Sequence, residues 1–103
     1  MGQSTQKIAF PAFYQGYLQE HRQRGTKVLH FVGTSLVIPL VALAVIAHLW
    51  WLIPAAIVQA YALAWIGHFF VEHNRPATFR HPWLSLRGDW QMWWDLLRGN
   101  LPW

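Results

Sequence analysis

Six histidines carry most of the chemistry this chain offers: His21, His30, His48, His68, His73 and His81. Three of them fall in one stretch, GHFFVEHNRPATFRHP, Gly67 to Pro82, beside Glu72, Asn74, Arg75 and Arg80. Neutral imidazole is the commonest protein ligand for iron, zinc or copper, so metal binding comes first among the options. The chain has no cysteine, which excludes a thiolate site and a disulfide framework. His68 and Glu72, four apart, share a face of a helix. His73 is five from His68 and turned about 140° away, a poor position for the same ion. A lone histidine in such a setting is more often structural than a ligand. Several at one membrane depth are harder to explain that way, because ionisable groups there are costly. From residue types alone, a metal site and a structural role both stand.

The charged neighbours divide in the same manner. Arg75, between Asn74 and Pro76, can grip a carboxylate with its two-pronged guanidinium, and Arg80 is the alternative. Arg22, Arg24 and Arg98 read as flanks that meet lipid phosphates. Asp89 either orients a ligand histidine or, as favoured here, caps the last helix near its N-terminus.

The elements that must position these groups are helical and greasy. Hydrophobic residues make up 54% of the 103 and charged residues 12%, well below the share usual in soluble domains. The length suits one small domain, 1–103. Pro11 to Arg24 reads as a first helix with Gly25 as its stop, and Thr26 as the N-cap of the next. From Val28 to Val71, 44 residues, there is no Lys, Arg, Asp or Glu. That suffices for two membrane spans of about 20 residues. Pro54 divides the run, giving spans of about 36–53 and 55–71, each roughly 26 Å long and slightly short of a hydrocarbon core. Pro39 is tolerable in a first turn and would kink a longer helix. The last segment, Leu86 to Leu97, sets Trp90, Trp93, Trp94 and Leu97 on one face of an amphipathic helix, suited to the membrane interface or to packing on the first helix. The expected architecture is an all-α, two-span hairpin between an N-terminal cytoplasmic helix and a C-terminal interfacial helix.

Charge orients it. Lys7, Arg22, Arg24 and Lys27 precede the hairpin, Arg75, Arg80, Arg87 and Arg98 follow it, and the connecting turn has none. Both termini are therefore expected in the cytoplasm, in a bacterial inner membrane or the endoplasmic reticulum. The net charge of +4 lies beside apolar runs and forms no continuous basic face, so anionic lipid is the expected partner and nucleic acid is not. No apolar stretch follows Lys7 to make a signal peptide, and Met-Gly with Ser4 and Thr5 fits a myristoylation site poorly. This topology puts His48 at the far end of the first span. His21, His30, His68 and His81 gather at the cytoplasmic edge.

The strings YLQEHRQRGTKVLHFVGTSL and GHFFVEHNRPATFRHPWLSLRGDWQMW resemble the small membrane proteins typified by the fungal 2-hydroxy fatty acid dioxygenase, over about residues 14 to 94. The likeness is carried by His21, His30 with Gly33-Thr34, Gly67-His68, Glu72, Asn74 to Ala77, His81-Pro82 and Gly88-Asp89. His48 and His73 have no counterpart. Arg24-Gly25-Thr26 departs from the asparagine expected there, a change nearer the substrate entrance than the chemistry. The resemblance implies an iron(II) enzyme of fatty acid α-oxidation that uses O2 to shorten a long-chain 2-hydroxy acid by its carboxyl carbon. If the substrate chelates through carboxylate and hydroxyl and oxygen takes one more place, three positions of an octahedral ion are left for protein.

The ligand set implied is His21, His30 and His68, with His81 next and Glu72 after it. His81 and Glu72 are the candidate catalytic residues, and Arg75, Arg80 and Asn74 the candidates for substrate binding. Association with further copies of the chain stays open. A di-metal lipid hydroxylase needs roughly eight clustered histidines, more than the six present. A non-enzymatic membrane adaptor explains the tryptophans and basic flanks equally well; metal content separates it from the enzyme.

Overall fold

The structure is a computed structural model that describes residues 9–103, so Ser4, Thr5 and Lys7 lie outside the described residues. Among those described, the chain is all helical. The elements are α1 (Phe10–Gln19), α2 (Arg24–Ile46), α3 (Leu52–Ile66), a π-helical turn (Gly67–Glu72) that continues α3, a 3₁₀ turn (Ala77–Phe79) and α4 (Pro82–Arg98).

The helix ends differ from those expected. Helix α1 stops at Gln19, where the Glu20 and His21 N–H groups turn back to Tyr17 and Leu18. Gln23 is extended and starts α2, so Arg24 and Gly25 are helical rather than a break. Thr26 lies buried inside α2, with its hydroxyl turned toward the Gly67 carbonyl, and caps nothing. With no charged residue after Lys27, the helix continues past Pro39, which lies inside α2 and donates no backbone bond there. The turn takes in Ala47 to Trp51, just before Pro54, so the first long helix ends at Ile46 rather than 53. Ala47 is the C-cap of α2, His48 adopts φ 56°, and the Leu49 N–H bonds the Ala44 carbonyl at 3.0 Å. Pro54 then falls in the first turn of α3, where a missing N–H costs nothing.

Two helices are long and apolar enough to cross a membrane, Arg24–Ile46 with 23 residues and Leu52–Glu72 with 21. At 1.5 Å per residue they reach about 34 and 32 Å, so neither is short of a core of about 30 Å. Only 22% and 28% of their apolar windows are buried inside the protein. A core helix of a soluble protein would be mostly buried; these present aliphatic surface outward. Where they meet, the contact is made by small residues such as Ala44, Ala56 and Ala64, as in membrane hairpins generally. Gln59 ties them, donating to the Gly33 carbonyl at 2.7 Å.

Helix α4 begins at Pro82, earlier than Leu86, because proline at a first helical position gives up no bond. Its inner face buries Ser85, Gly88, Met92 and Leu96, the last two against Phe13 and Tyr17 of α1. Tyr14 donates to Asp95 at 2.6 Å, so α4 packs on α1. The tryptophan face is split: Trp93 turns inward to Phe31 and donates to the Ser35 hydroxyl at 2.8 Å. Trp83, Leu86, Trp90, Trp94 and Leu97 face out.

Candidate metal centre

Three histidines from three elements meet. His21 follows α1, His30 lies in the second turn of α2, and His68 is the second residue of the π-turn. All are buried, and a ring nitrogen from each lies within 4.8 Å of the others. Their ring centroids are 4.4 Å (His21–His30), 4.5 Å (His21–His68) and 5.3 Å (His30–His68) apart. Two glycines allow it. A Cβ on Gly67 would come within 3.1–3.2 Å of Thr26, so glycine lets the end of α3 press on α2 and bring His68 to His30 without a shift of Thr26. A Cβ on Gly88 would meet the Tyr17 ring at 3.1 Å. Its absence seats that ring on α4, where the hydroxyl reaches Asp89.

Hydrogen bonds fix which nitrogens of His21 and His68 are free. His21 Nδ1 is 2.6 Å from the Tyr17 carbonyl, which can only accept, so Nδ1 carries the proton and Nε2 a lone pair. His68 Nδ1 is 2.7 Å from Asn74 Oδ1. The Asn74 amide nitrogen donates to the Glu20 carbonyl at 3.0 Å, which turns the oxygen to His68. His30 Nδ1 faces Asp89 Oδ1 at 3.6 Å, and the Tyr17 hydroxyl donates to the same carboxylate oxygen. Each ring thus has a partner behind it that leaves Nε2 facing inward, the arrangement usual behind metal-bound histidines.

His21 and His30 present Nε2 to Nε2 at 3.1 Å. Two lone pairs at that distance need a proton or a cation between them. Two nitrogens about 2.1 Å from one ion, at right angles, stand about 3.0 Å apart. The third nitrogen, wider, must draw in on binding. The donor set therefore fits a divalent transition metal. Burial, with His68 close by, pushes His21 down to about 3, so it is a free base at neutral pH. Asp89 is pushed up to about 7 by burial, partly offset by the Tyr17 bond. A cation among the histidines would favour its carboxylate form.

The other candidate residues lie elsewhere. His81 precedes Pro82 at the start of α4, its ring edge-on to Phe13 at 5.6 Å, and is not gathered with the three. It lines a surface cleft with Gly16, Glu20 and Arg80. Glu72 accepts from the Gln23 N–H and clasps the end of the π-turn to the start of α2. Asn74 has both ends of its amide engaged within the protein. Arg80 pairs with Glu20 at 2.7 Å, and Arg75 lies over the Phe79 ring at 5.5 Å; both are exposed. His48 and His73 are exposed, with φ of 56° and 62°, each the left-handed residue that closes a helix. Asp89 corrects the cap reading: it lies two turns inside α4 and faces His30.

Two residues had no functional signal in the sequence. Tyr17 looked like helix-face filler, yet its carbonyl and hydroxyl each hold a site residue. Lys27 looked like a flank, yet it is buried and donates to the Pro102 carbonyl at 2.9 Å.

The family model described as "2-hydroxy-palmitic acid dioxygenase Mpo1-like" matches residues 8–101, nearly the whole chain. No curated protein and no solved structure matches it.

Proposed function

The chain belongs to that dioxygenase-like family, and from this premise we propose that it is a membrane-embedded iron(II) dioxygenase acting on long-chain 2-hydroxy acids. The reading is carried by one observation: three buried imidazoles converge, with the outer nitrogens of His21 and His68 hydrogen-bonded and Asp89 3.6 Å behind that of His30. Iron(II) bound by His21, His30 and His68 would supply the oxygen chemistry that removes the carboxyl carbon. The protein's own part is to hold and to exclude. The Tyr17 carbonyl and Asn74 fix the tautomers of His21 and His68. Asp89 stands behind His30, the carboxylate–histidine pairing that makes an imidazole a stronger ligand. Burial of all three rings keeps water from the reacting carbon.

In this reading both termini face the cytoplasm, since basic residues flank the hairpin and its turn has none. Helix α4 lies along the interface on its outward apolar stripe, Trp83 to Leu97. Asn74 acts through His68 and not on substrate. Arg75 and Arg80, exposed beside the loop, meet head groups at the membrane surface. His81 and Glu72 serve the architecture, as the start of α4 and the clasp between the spans.

Purification without oxygen, metal quantification and then exposure to 2-hydroxypalmitate and O2 test this. One iron per chain and an acid one carbon shorter are expected. A folded protein that holds no metal and leaves the substrate intact would be the adaptor instead.

A further inference from the structure

Resting on that reading, we infer that the hollow between α2, α3 and α4 is the acyl-chain pocket, seating roughly the first nine carbons of a single-chain acid and leaving the remainder in the bilayer. The cavity has a volume of about 230 Å³. Its polar end is the metal centre, since His30 and Asp89 line it together with Tyr61. A second recess of about 10 Å³, the size of one water, shares those three residues and adds His68 and Ser85. From His30 the cavity follows α2 past Thr34 to Val37, about 10 Å of helix axis, with Ala60 and Ala64 as the facing wall. It opens between Ile57 of α3 and Leu86 and Trp90 of α4, which are 50%, 40% and 36% exposed. That opening lies on the flank the spanning helices turn outward.

One polar end, apolar walls and an apolar mouth fit a molecule with one charged head and one hydrocarbon tail. Apolar cavities stay dry, and one of about 150 Å³ takes a benzene ring, so this one holds roughly nine carbons by proportion. A two-chain lipid does not fit. Lipid tails are as apolar as these walls, so entry from the bilayer gains little hydrophobic free energy. The pocket therefore positions more than it tightens: seating the first carbons fixes the 2-hydroxy acid head at the histidines, and the tail beyond the mouth is not measured.

The test uses full-length, iron-loaded protein in lipid nanodiscs with 2-hydroxyhexadecanoic acids carrying a diazirine at carbon 7 or carbon 15. After illumination, the carbon-7 probe should label Thr34, Val37, Ile57 or Trp90, and excess 2-hydroxypalmitate should cut that labelling at least tenfold. The carbon-15 probe should mark lipid and outer residues without competition. The same pattern from both probes overturns the pocket, as does a carbon-7 label confined to the outer face around Val58. Ile57→Trp, at the exposed mouth, gives a second readout. It should lower kcat/KM at least tenfold more for a sixteen-carbon than for an eight-carbon 2-hydroxy acid, with iron content unchanged. Equal losses at both lengths count against the pocket. Competed labelling of the cavity without oxidation of any 2-hydroxy acid would uphold the pocket and overturn the dioxygenase reading, so the two fail separately.

Discussion

The two ends of the hairpin use the same residue type in opposite ways. At the end where α1 and α4 cover the spans, three histidines are buried and each Nδ1 faces a fixed partner. At the other end His48 is exposed, stands edge-on to Trp50 at 5.9 Å, and serves as the left-handed residue that closes α2. The difference is one of cover. Burying an imidazole removes water that would solvate its charged form, and a second layer of protein supplies the partner that selects one tautomer. The hairpin turn has no such layer. Among the described residues, histidines are placed to hold a metal only where a third element closes over them.

The largest expected effects lie at the covered end. His30→Ala and His68→Ala should lose iron entirely and turn over substrate at background, while His48→Ala keeps full iron; metal stoichiometry on purified protein decides. Iron retained by both covered-end variants would remove the shared site. Next come the residues behind the ligands. Asn74→Ala removes the side chain that His68 Nδ1 bonds, and Asp89→Asn removes the carboxylate behind His30 Nδ1. Either should weaken metal binding 10–100-fold, read by competition with a chelator.

Acid gives a smaller contrast, best read on chelator-treated protein. His21 titrates near 3 when folded and near its ordinary 6.5 when unfolded. Its stabilising contribution is therefore present above 6.5 and lost as pH falls toward 3. Asp89 runs the other way: with a folded pKa of about 7, it contributes stability below the usual carboxylate value that is lost as pH rises through 7. Asp89→Asn removes that opposing trend. Between pH 6.5 and 4.5 the variant should lose stability more steeply than wild type, by up to about 1.4 kcal/mol per pH unit. Tm in detergent reports it, and parallel curves would contradict the burial of Asp89.

The smallest effects belong to exposed positions. His81→Ala should keep its iron, since its ring packs on Phe13. Arg80→Ala breaks a surface pair with Glu20 and should cost no more than about 1 kcal/mol. His48→Gly should leave iron unchanged and stabilise slightly, by about 0.5–1 kcal/mol, because glycine takes φ 56° without strain.

The sequence by itself determined that two helices are long and apolar enough to cross a membrane, through 44 residues without Lys, Arg, Asp or Glu, and the absence of cysteine narrows metal ligands to imidazole and carboxylate. It also carried the family, because motifs such as Gly67-His68 and Asn74-Arg75-Pro76-Ala77 are local strings. Helix ends were less legible. Thr26 and Gly25 have the chemistry of a cap and a stop, but burial against Gly67 and the pull of a continuing helix outweighed those local preferences. The partners behind the three histidines were legible only in part: Asp89 stood as one of two readings, while Tyr17 and Asn74 carried no mark of this role. Tyr17 and Asp89 are 72 residues apart in sequence, and Glu20 and Asn74 are 54 apart, so nothing local marks either pair. Which nitrogen of each imidazole is free, and which histidines are covered, depends on α1 and α4 closing over one end of the hairpin. Packing settles that, because burial and hydrogen-bond partners are properties of the folded chain and not of the residue.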